Sequence, residues 1–366
     1  MRRWAIAALA GAAAALAAAG VADADVPRVA AVENRGLLFT DNDAGISGMD
    51  AGYSLPIGDR TLWLFGDAFL LARRDPARPY VGGVSNGGLL VARGRGAAPL
   101  RRYAILADPA TGLARPVLPY LPGEDQTTRV WPMGGWYDAA ARRAYLYYAV
   151  VRTSGSGPLD FRLKGHGLAA ANARAPERLA FERLPGPGGA ALWWGPGGRV
   201  FGAAVAHRAG DRWLYVAGVS TGPGPNRAAM ARVTAERIAD PNAYEYFAGA
   251  PESPRWTRDP SEAADVAGLG DLSEASITWN DYLGGWLAVH SVGISEKAVL
   301  CLASRPWGPY RAIATIGTPH QAFAKAFCYA AKEHPELAEE GGRVVYITYV
   351  DSGRYWLHLL RVTLAR

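Results

Sequence analysis

Between Gly45 and Phe69 the chain reads GISGMDAGYSLPIGDRTLWLFGDAF and sets three acids, Asp50, Asp59 and Asp67, around two short apolar runs. Carboxyl groups gathered in a cleft do acid–base chemistry, because burial and mutual repulsion hold one protonated while another stays ionised. Asp50 and Asp67 are placed for this. The first run predicts a strand from Asp50 to Pro56, and TLWLFGD predicts its antiparallel partner from Thr61 to Asp67, so a hairpin returns Asp67 to the end where Asp50 starts. Asp50 lies between Gly48 and Gly52, where a backbone can approach a ligand closely; the alternative is a turn aspartate bonding its own backbone. Asp67 is either a partner that orients or tunes Asp50 or a structural acid between neighbouring elements. Asp41, with Asp43 in TDNDAG, is a further candidate for the same place, although a D-x-D-x-G run also suits a plain loop or a weak calcium site.

The elements that must position these acids repeat along the chain. Five strands rich in aromatic and branched residues are TLWLFGD from Thr61, AYLYYAVV from Ala144, RWLYVAGV from Arg212, GWLAVHSV from Gly285 and RVVYITYV from Arg343. Each is followed by a strand that ends at arginine: Arg93, Arg174, Arg232, Arg305 and Arg361. Their spacing of roughly 60 to 80 residues is too wide for a sandwich meander and suits propeller blades with long loops. The expected fold is therefore all-β, a five-bladed β-propeller in one domain from about residue 30 to residue 366. Helical patterning is confined to Thr234–Ile238 and Pro335–Glu340, a turn or two each, and the Gly/Pro-rich stretches 154–157, 185–198 and 222–225 read as loops between strands.

Residues 1–24 stand apart. Arg2 and Arg3 precede an Ala/Leu-rich run from Trp4 to Ala19 that ends in Ala22-Asp23-Ala24, the pattern of a secretory signal cleaved after Ala24, so the expected location is secreted or periplasmic. A membrane anchor is disfavoured because the run is short and no second apolar stretch of about 18 residues follows. Losing Arg2, Arg3 and Asp23 takes 39 basic and 33 acidic residues to 37 and 32, a net charge of +5. With only four lysines and scattered arginines, this mild excess makes no nucleic-acid surface. Cys301 and Cys328 permit one disulfide or two buried thiols and exclude a cysteine-based metal site. No cofactor is called for, a structural metal in a propeller channel stays open, and a monomer is expected.

GISGMDAGYSLP followed by LWLFGDAF and VSNGGLLVA resembles the DUF4185 family of five-bladed propellers, in which a G-x-x-G-x-D-x-G segment precedes an FGD-ending strand. Glu274 to Trp279 (EASITW), Leu302 to Tyr310 (LASRPWGPY) and Tyr329 to Leu337 (YAAKEHPEL) look like late-blade signatures of the same family and of arabinanase-like propellers. Members include endo-acting enzymes that cut D-arabinan, a furanose polymer of actinobacterial cell walls. The resemblance thus implies a glycoside hydrolase with a polysaccharide substrate, the competing reading being a non-catalytic glycan-binding propeller of the cell envelope. The segment from Ala190 to His207 departs from that pattern into a Gly/Pro/Trp-rich sequence.

Glycosidic hydrolysis needs one carboxylic acid and one carboxylate. Glu274, at the start of the fourth predicted inner strand with Asp271 nearby, is the expected second carboxylate to Asp50, against the alternative of a solvated strand-edge glutamate. Trp193, Trp194, Trp131 and Trp279, in or just before inner strands, offer flat faces for sugars, though tryptophans also pack between blades. His320 and Lys325, before the fifth inner strand, are candidates for hydroxyl contacts, and His334 reads as structural. Gly83-Val84-Ser85-Asn86-Gly87 fits the G-x-S-x-G nucleophile elbow, but GGLLVAR after it reads as a strand where that motif needs a helix. The repeated S-x-D-x-G-x-x-W boxes of sialidases are missing.

Overall fold

A computed structural model describes residues 26–72, 80–155, 157, 160–222, 224–293, 295–319 and 327–366; the expected signal at 1–24 and the candidates His320 and Lys325 lie outside them. Strand β1 (Arg28–Leu37) comes first in the chain. The first blade is β2 (Ile46–Ile57), β3 (Arg60–Leu71), β4 (Tyr80–Val84), β5 (Gly87–Ala92) and β6 (Tyr103–Ile105). The second is β7 (Thr128–Asp138), β8 (Arg143–Thr153), β9 (Phe161–Asn172) and β10 (Glu182–Arg183). The third is β11 (Arg199–Ala206), β12 (Trp213–Ser220), β13 (Ala228–Thr234), β14 (Glu245–Phe247) and β15 (Trp256–Thr257). The fourth is β16 (Ala275–Asn280), β17 (Gly285–Ser291), β18 (Lys297–Ala303) and β19 (Arg311–Gly317). The fifth joins β20 (Cys328–Glu333), β21 (Val344–Asp351) and β22 (Trp356–Ala365) to β1, which pairs with β22 from Arg28 opposite Ala365 to Leu37 opposite His358.

The inner strands touch in the cyclic order β2, β7, β11, β16, β20 and back to β2. The fold is a five-bladed β-propeller, with 3₁₀ turns at Ala235–Arg237, Pro335–Leu337 and Glu340–Gly342 where short helical segments are expected. Aromatic-rich middle strands run down the centre of each blade because both of their faces are covered by adjacent blades; β21 is buried at every position. Blade-to-blade packing is largely aromatic. Tyr215 and Trp256 of the third blade meet Trp307, which follows the third strand of the fourth, with ring centroids 5.9 and 5.6 Å apart, and the hydroxyls of Tyr147 and Tyr244 share a buried hydrogen bond of 2.6 Å. Each large side chain so buried stabilises the ring by about 2–3 kcal/mol. Cys301 and Cys328 are both buried and free, their thiols directed at the carbonyls of Gly268 and Thr318. Among the described residues no helix is long and apolar enough to cross a membrane.

The first hairpin is longer than its sequence pattern suggests. β2 already begins at Ile46 and β3 runs on to Leu71, because the end of β3 finds a second partner in β4, with Ala68 opposite Val84 and Leu71 opposite Tyr80. The central channel is narrow, a cavity of about 90 Å³ lined by Tyr53, Ser54, Lys332, Glu333 and His334 among others. Its polar groups are satisfied within the ring. His334 sits between the hydroxyls of Ser54 and Thr348, 2.7 Å from each, stacks on Trp63, and is kept neutral by burial and by the charge of Lys332, which press it down to about 3. Thr278 donates its hydroxyl to Glu333, while the Glu333 amide donates to Ser276 at 2.7 Å.

Burial above all, opposed by the Thr278 hydrogen bond and reinforced by Glu336, pushes the Glu333 carboxyl up to about 7 from an ordinary 4.5. A raised acid supports the fold fully below its unfolded value and withdraws that support as pH rises toward its folded value. Glu333→Gln should therefore match the wild type at about pH 4 and be more stable at about pH 8, by about 3 kcal/mol if the whole shift is recovered. Urea unfolding at the two pH values measures this; an equal difference at both would show that Glu333 is not the titrating group.

Candidate active site

All five inner strands begin at one mouth of the channel, and four of them, β2, β7, β11 and β20, break register there or farther along, whereas β16 pairs without interruption. A bulge re-aims side chains, and the one in β2 builds the site. Met49 pairs with Ala68 and Ala51 with Phe65, leaving Asp50 alone opposite Gly66 and Asp67. Ala51 and Gly52 then take left-handed conformations, with φ of 67° and 85°, which turns the strand back into the ladder. Gly66 is required for a different reason: a Cβ there would lie 2.5 Å from Asp50 Oδ1, so its bare backbone is the floor under the carboxyl group. The FGD sequence thus carries two functions, a seat at Gly66 and a second carboxylate at Asp67.

The fifth blade supplies the partners of Asp50. The turn before β22 docks on β2, where the Met49 amide donates to the Tyr355 carbonyl at 2.8 Å, and this places the Tyr355 hydroxyl 2.9 Å from Asp50 Oδ2. Tyr329 of β20 donates to the same oxygen at 3.0 Å. In β20 the register slips between Tyr329 and Lys332, with Ala330 at φ 58° and the Ala331 amide donating to Ser291 Oγ. Residues three apart on a regular strand face opposite sides; the bulge brings both Tyr329 and Lys332 to the mouth. Lys332 is 2% exposed, lies over the Tyr53 ring, and donates to the Ala330 carbonyl at 2.8 Å and to Glu274 Oε2 at 2.5 Å. Glu274, just ahead of β16, retains 23% side-chain exposure.

Asp67 completes the cluster. Arg129 of β7 approaches its Oδ1 at 3.6 Å without forming a hydrogen bond, and the indole of Trp131, on the same face of β7, stands beside it. The charges decide the protonation. Burial, then repulsion from Asp67 and from Glu274, push the Asp50 carboxyl up to about 8, while the hydroxyls of Tyr355 and Tyr329 pull it down. Burial raises Asp67 as well, against the pull of Arg129 and Trp131. Lys332 is lowered by burial and held up by Glu274 and then Asp50. Because Oδ2 accepts from both tyrosines, the proton of neutral Asp50 belongs on Oδ1, over Gly66. At neutral pH the mouth presents a protonated carboxyl beside two further carboxyl groups, one of them ion-paired to a buried ammonium. Among the described residues no group of three or more His, Cys, Asp or Glu is arranged to hold a metal ion.

The other sequence candidates scatter. Asp41 is exposed beside the outer strand β6, its carbonyl accepting from Tyr103, and is not among the charges that shift Asp50; Asn42 between the two loop aspartates is the structural residue, bonded through its side chain to both backbone groups of Ile46. Trp193 and Trp194 are 7% and 5% exposed and packed in the core against Tyr244, their indole N–H groups donating to the Leu184 carbonyl and the Tyr246 hydroxyl, so neither offers a face to a ligand. Trp279 lies at the far end of β16 from the mouth, covered by Arg208 at 3.7 Å. Trp131 is at the mouth. The GVSNG segment is a staple: Asn86 bonds Val117 and Leu118, and Ser85 accepts from the Val130 amide. Sequence reasoning missed Tyr329, Tyr355, Lys332 and Arg129; the YAAK string held two of them, but their convergence depends on a bulge.

Residues 37–361 match the model of the domain of unknown function DUF4185. The chain belongs to the DUF4185 family. No curated protein sequence matches this DUF4185 chain. Among solved structures it is similar to an α-L-arabinofuranosidase from Podospora anserina in complex with cellotriose, at 11% identity and TM-score 0.48, covering 93% of this chain and 99% of that one. A family 117 glycoside hydrolase from Zobellia galactanivorans gives 11% and 0.49 over 93% and 91% of the two chains, and a GH43_1 enzyme from Xanthomonas citri complexed with xylose gives 13% and 0.49 over 90% of each. At such identities none of them assigns a role to a residue of the DUF4185 chain.

Because the atom that a Gly66 side chain would meet is the movable end of Asp50, Gly66→Ala should fold, losing on the order of 1 kcal/mol, but with the Asp50 carboxyl turned off its two tyrosines. A thermal melt and a crystal structure of the variant test this; a carboxyl still bonded to Tyr329 and Tyr355 would refute the seat assigned to Gly66.

Proposed function

We propose that this chain is an exported glycoside hydrolase acting on a furanose-containing polysaccharide, arabinan-like, with residues 1–24 as its secretion signal. The observation that carries the reading is the gathering of Asp50, Asp67 and Glu274 at one mouth of the channel, where burial and repulsion raise the Asp50 carboxyl. A proton donor that stays loaded to about pH 8 is what an acid-assisted cleavage of a glycosidic bond requires. The arabinan-like substrate class is suggested by the resemblance of GISGMDAGYSLP and LWLFGDAF to family members that cut D-arabinan.

In this reading Asp50 gives its Oδ1 proton to the glycosidic oxygen as the bond to the anomeric carbon breaks. Glu274 acts on the opposite side of the sugar, on the incoming water or on the anomeric carbon itself. Asp67 lies directly across the β2 bulge from Asp50, whereas Glu274 comes from the fourth blade; a sugar must fit between acid and second carboxylate, which favours Glu274 for that role and leaves Asp67 to keep Asp50 protonated. Lys332 holds Glu274 in place through its ion pair.

The test is to incubate the wild type and Asp50→Asn with arabinans and other furanose polymers and measure released oligosaccharides. Loss of the acid should lower kcat by about 10²–10⁴-fold with glycan binding retained; binding without release in either form would favour a glycan-binding module. A second variant reads the acid directly. Activity requires protonated Asp50 and so falls as pH rises through its pKa, and Tyr355→Phe removes a hydrogen bond that lowers that pKa. The basic limb of the kcat/KM profile should move to higher pH in Tyr355→Phe; an unmoved limb would take Asp50 out of the acid role.

A further inference from the structure

Large apolar side chains are exposed at Val32, Phe69, Tyr80, Val81, Tyr120, Leu121, Phe161 and Val292 among the described residues. All except Val32 lie on strand ends or loops at the mouth that holds Asp50. An apolar concentration at one end of the ring marks a binding surface, and its distribution around the carboxyl cluster identifies the occupant.

On one flank, Phe69 follows Asp67 on the same face of β3, about 7 Å further along the strand. Its ring is 44% exposed, 6.3 Å from that of Tyr80, which is 62% exposed, and 4.9 Å from that of Tyr355, whose hydroxyl holds Asp50. The β3–β4 extension that the sequence pattern did not foreshadow carries this pair at the mouth. On the other flank, Trp131 stands beside Asp67 and packs edge-to-face on Phe161, centroids 5.0 Å apart, with Phe161 38% exposed at the start of β9. One strip lies along the seam of the first and fifth blades and the other on the second blade, so the acids of the first blade stand between them.

We propose that Phe69 with Tyr80, and Trp131 with Phe161, are two sugar-stacking platforms that hold furanose residues of the glycan on either side of Asp50. The inference rests on the hydrolase reading above and names the residues that determine how the chain is held. Aromatic rings interleaved with hydrogen-bonding groups, here Arg129, Asp67 and the Tyr355 hydroxyl, match a ligand with an apolar C–H face and a hydroxyl rim. A protein partner would instead meet a continuous apolar patch with a polar border.

The test uses Phe69→Ala and Phe161→Ala, exposed positions at which the fold survives, each made in the wild type and in Asp50→Asn. Binding of linear arabinan and of short arabino-oligosaccharides to the Asp50→Asn background is measured by calorimetry, and KM, kcat and the pH profile in the active background. Each substitution should weaken polymer binding roughly tenfold, as loss of a stacking face does, and raise KM with the basic pH limb unmoved, while the shortest oligosaccharides respond to only one of the two. Polymer binding within twofold of the parent in both variants, with the wild type cutting arabinan, would overturn the platforms alone. A wild type that neither binds nor cuts any furanose polymer would overturn the hydrolase reading and the platforms with it.

Discussion

The structure depends on the ladder between β1 and β22, which makes one blade from the two ends of the described chain. Five twisted sheets arranged about an axis leave an open seam unless the last is tied to the first part of the chain, and here the seam is adjacent to the site. The fifth blade contributes Tyr329, Lys332 and Tyr355, and the first contributes Asp50, Gly66 and Asp67. Glu33 of β1 binds Arg361 of β22 at 2.7 Å on the outer edge, and Leu38, just past β1, donates its amide to the Leu357 carbonyl at 2.9 Å, fixing where the chain enters β2. A slip of one residue in this ladder would reverse every face of β22 and carry the Tyr355 turn away from Gly48.

Around the mouth, the shortage of positive charge sets the chemistry. Asp50, Asp67 and Glu274 face one fully buried ammonium and one guanidinium that stays at 3.6 Å. Lys332 is committed to Glu274, and Arg129 approaches Asp67 from the side, so Asp50 is left with only neutral donors. A third anion with no cation of its own is most easily accommodated by taking up a proton. The same logic recurs below, where the buried Glu333 carboxyl accepts from the neutral Thr278 hydroxyl, has Glu336 nearby, and is likewise raised. Burial thus raises two carboxyl groups at two depths of the propeller, Asp50 at the mouth and Glu333 in the channel.

Much of the fold was legible in the sequence because a blade is a local object. Each middle strand advertises itself by aromatic and branched residues, and β3, β8, β12, β17 and β21 fall where those runs stand. The candidate acids are legible from local order: Asp50 from its glycine flanks and strand start, Asp67 from the end of the returning strand, and Glu274 from a strand start. Trp193 and Trp194 were not readable in this way: a Gly-rich loop suggests exposure, yet His166 pairs with Trp194 as an isolated bridge and draws the loop under the second and third blades.

The sequence by itself determined the all-β class, the number of blades and which acids stand near inner-strand starts, since these follow from periodicity and short-range order within about ten residues of chain. Only the tertiary structure decided which acid is protonated, which tryptophan meets solvent and which tyrosines hold Asp50. Those outcomes depend on bulges that change a side chain's direction and on groups 279 and 305 positions apart brought within hydrogen-bond distance. Burial and Coulomb repulsion act through space, and closing the ring is what creates that space.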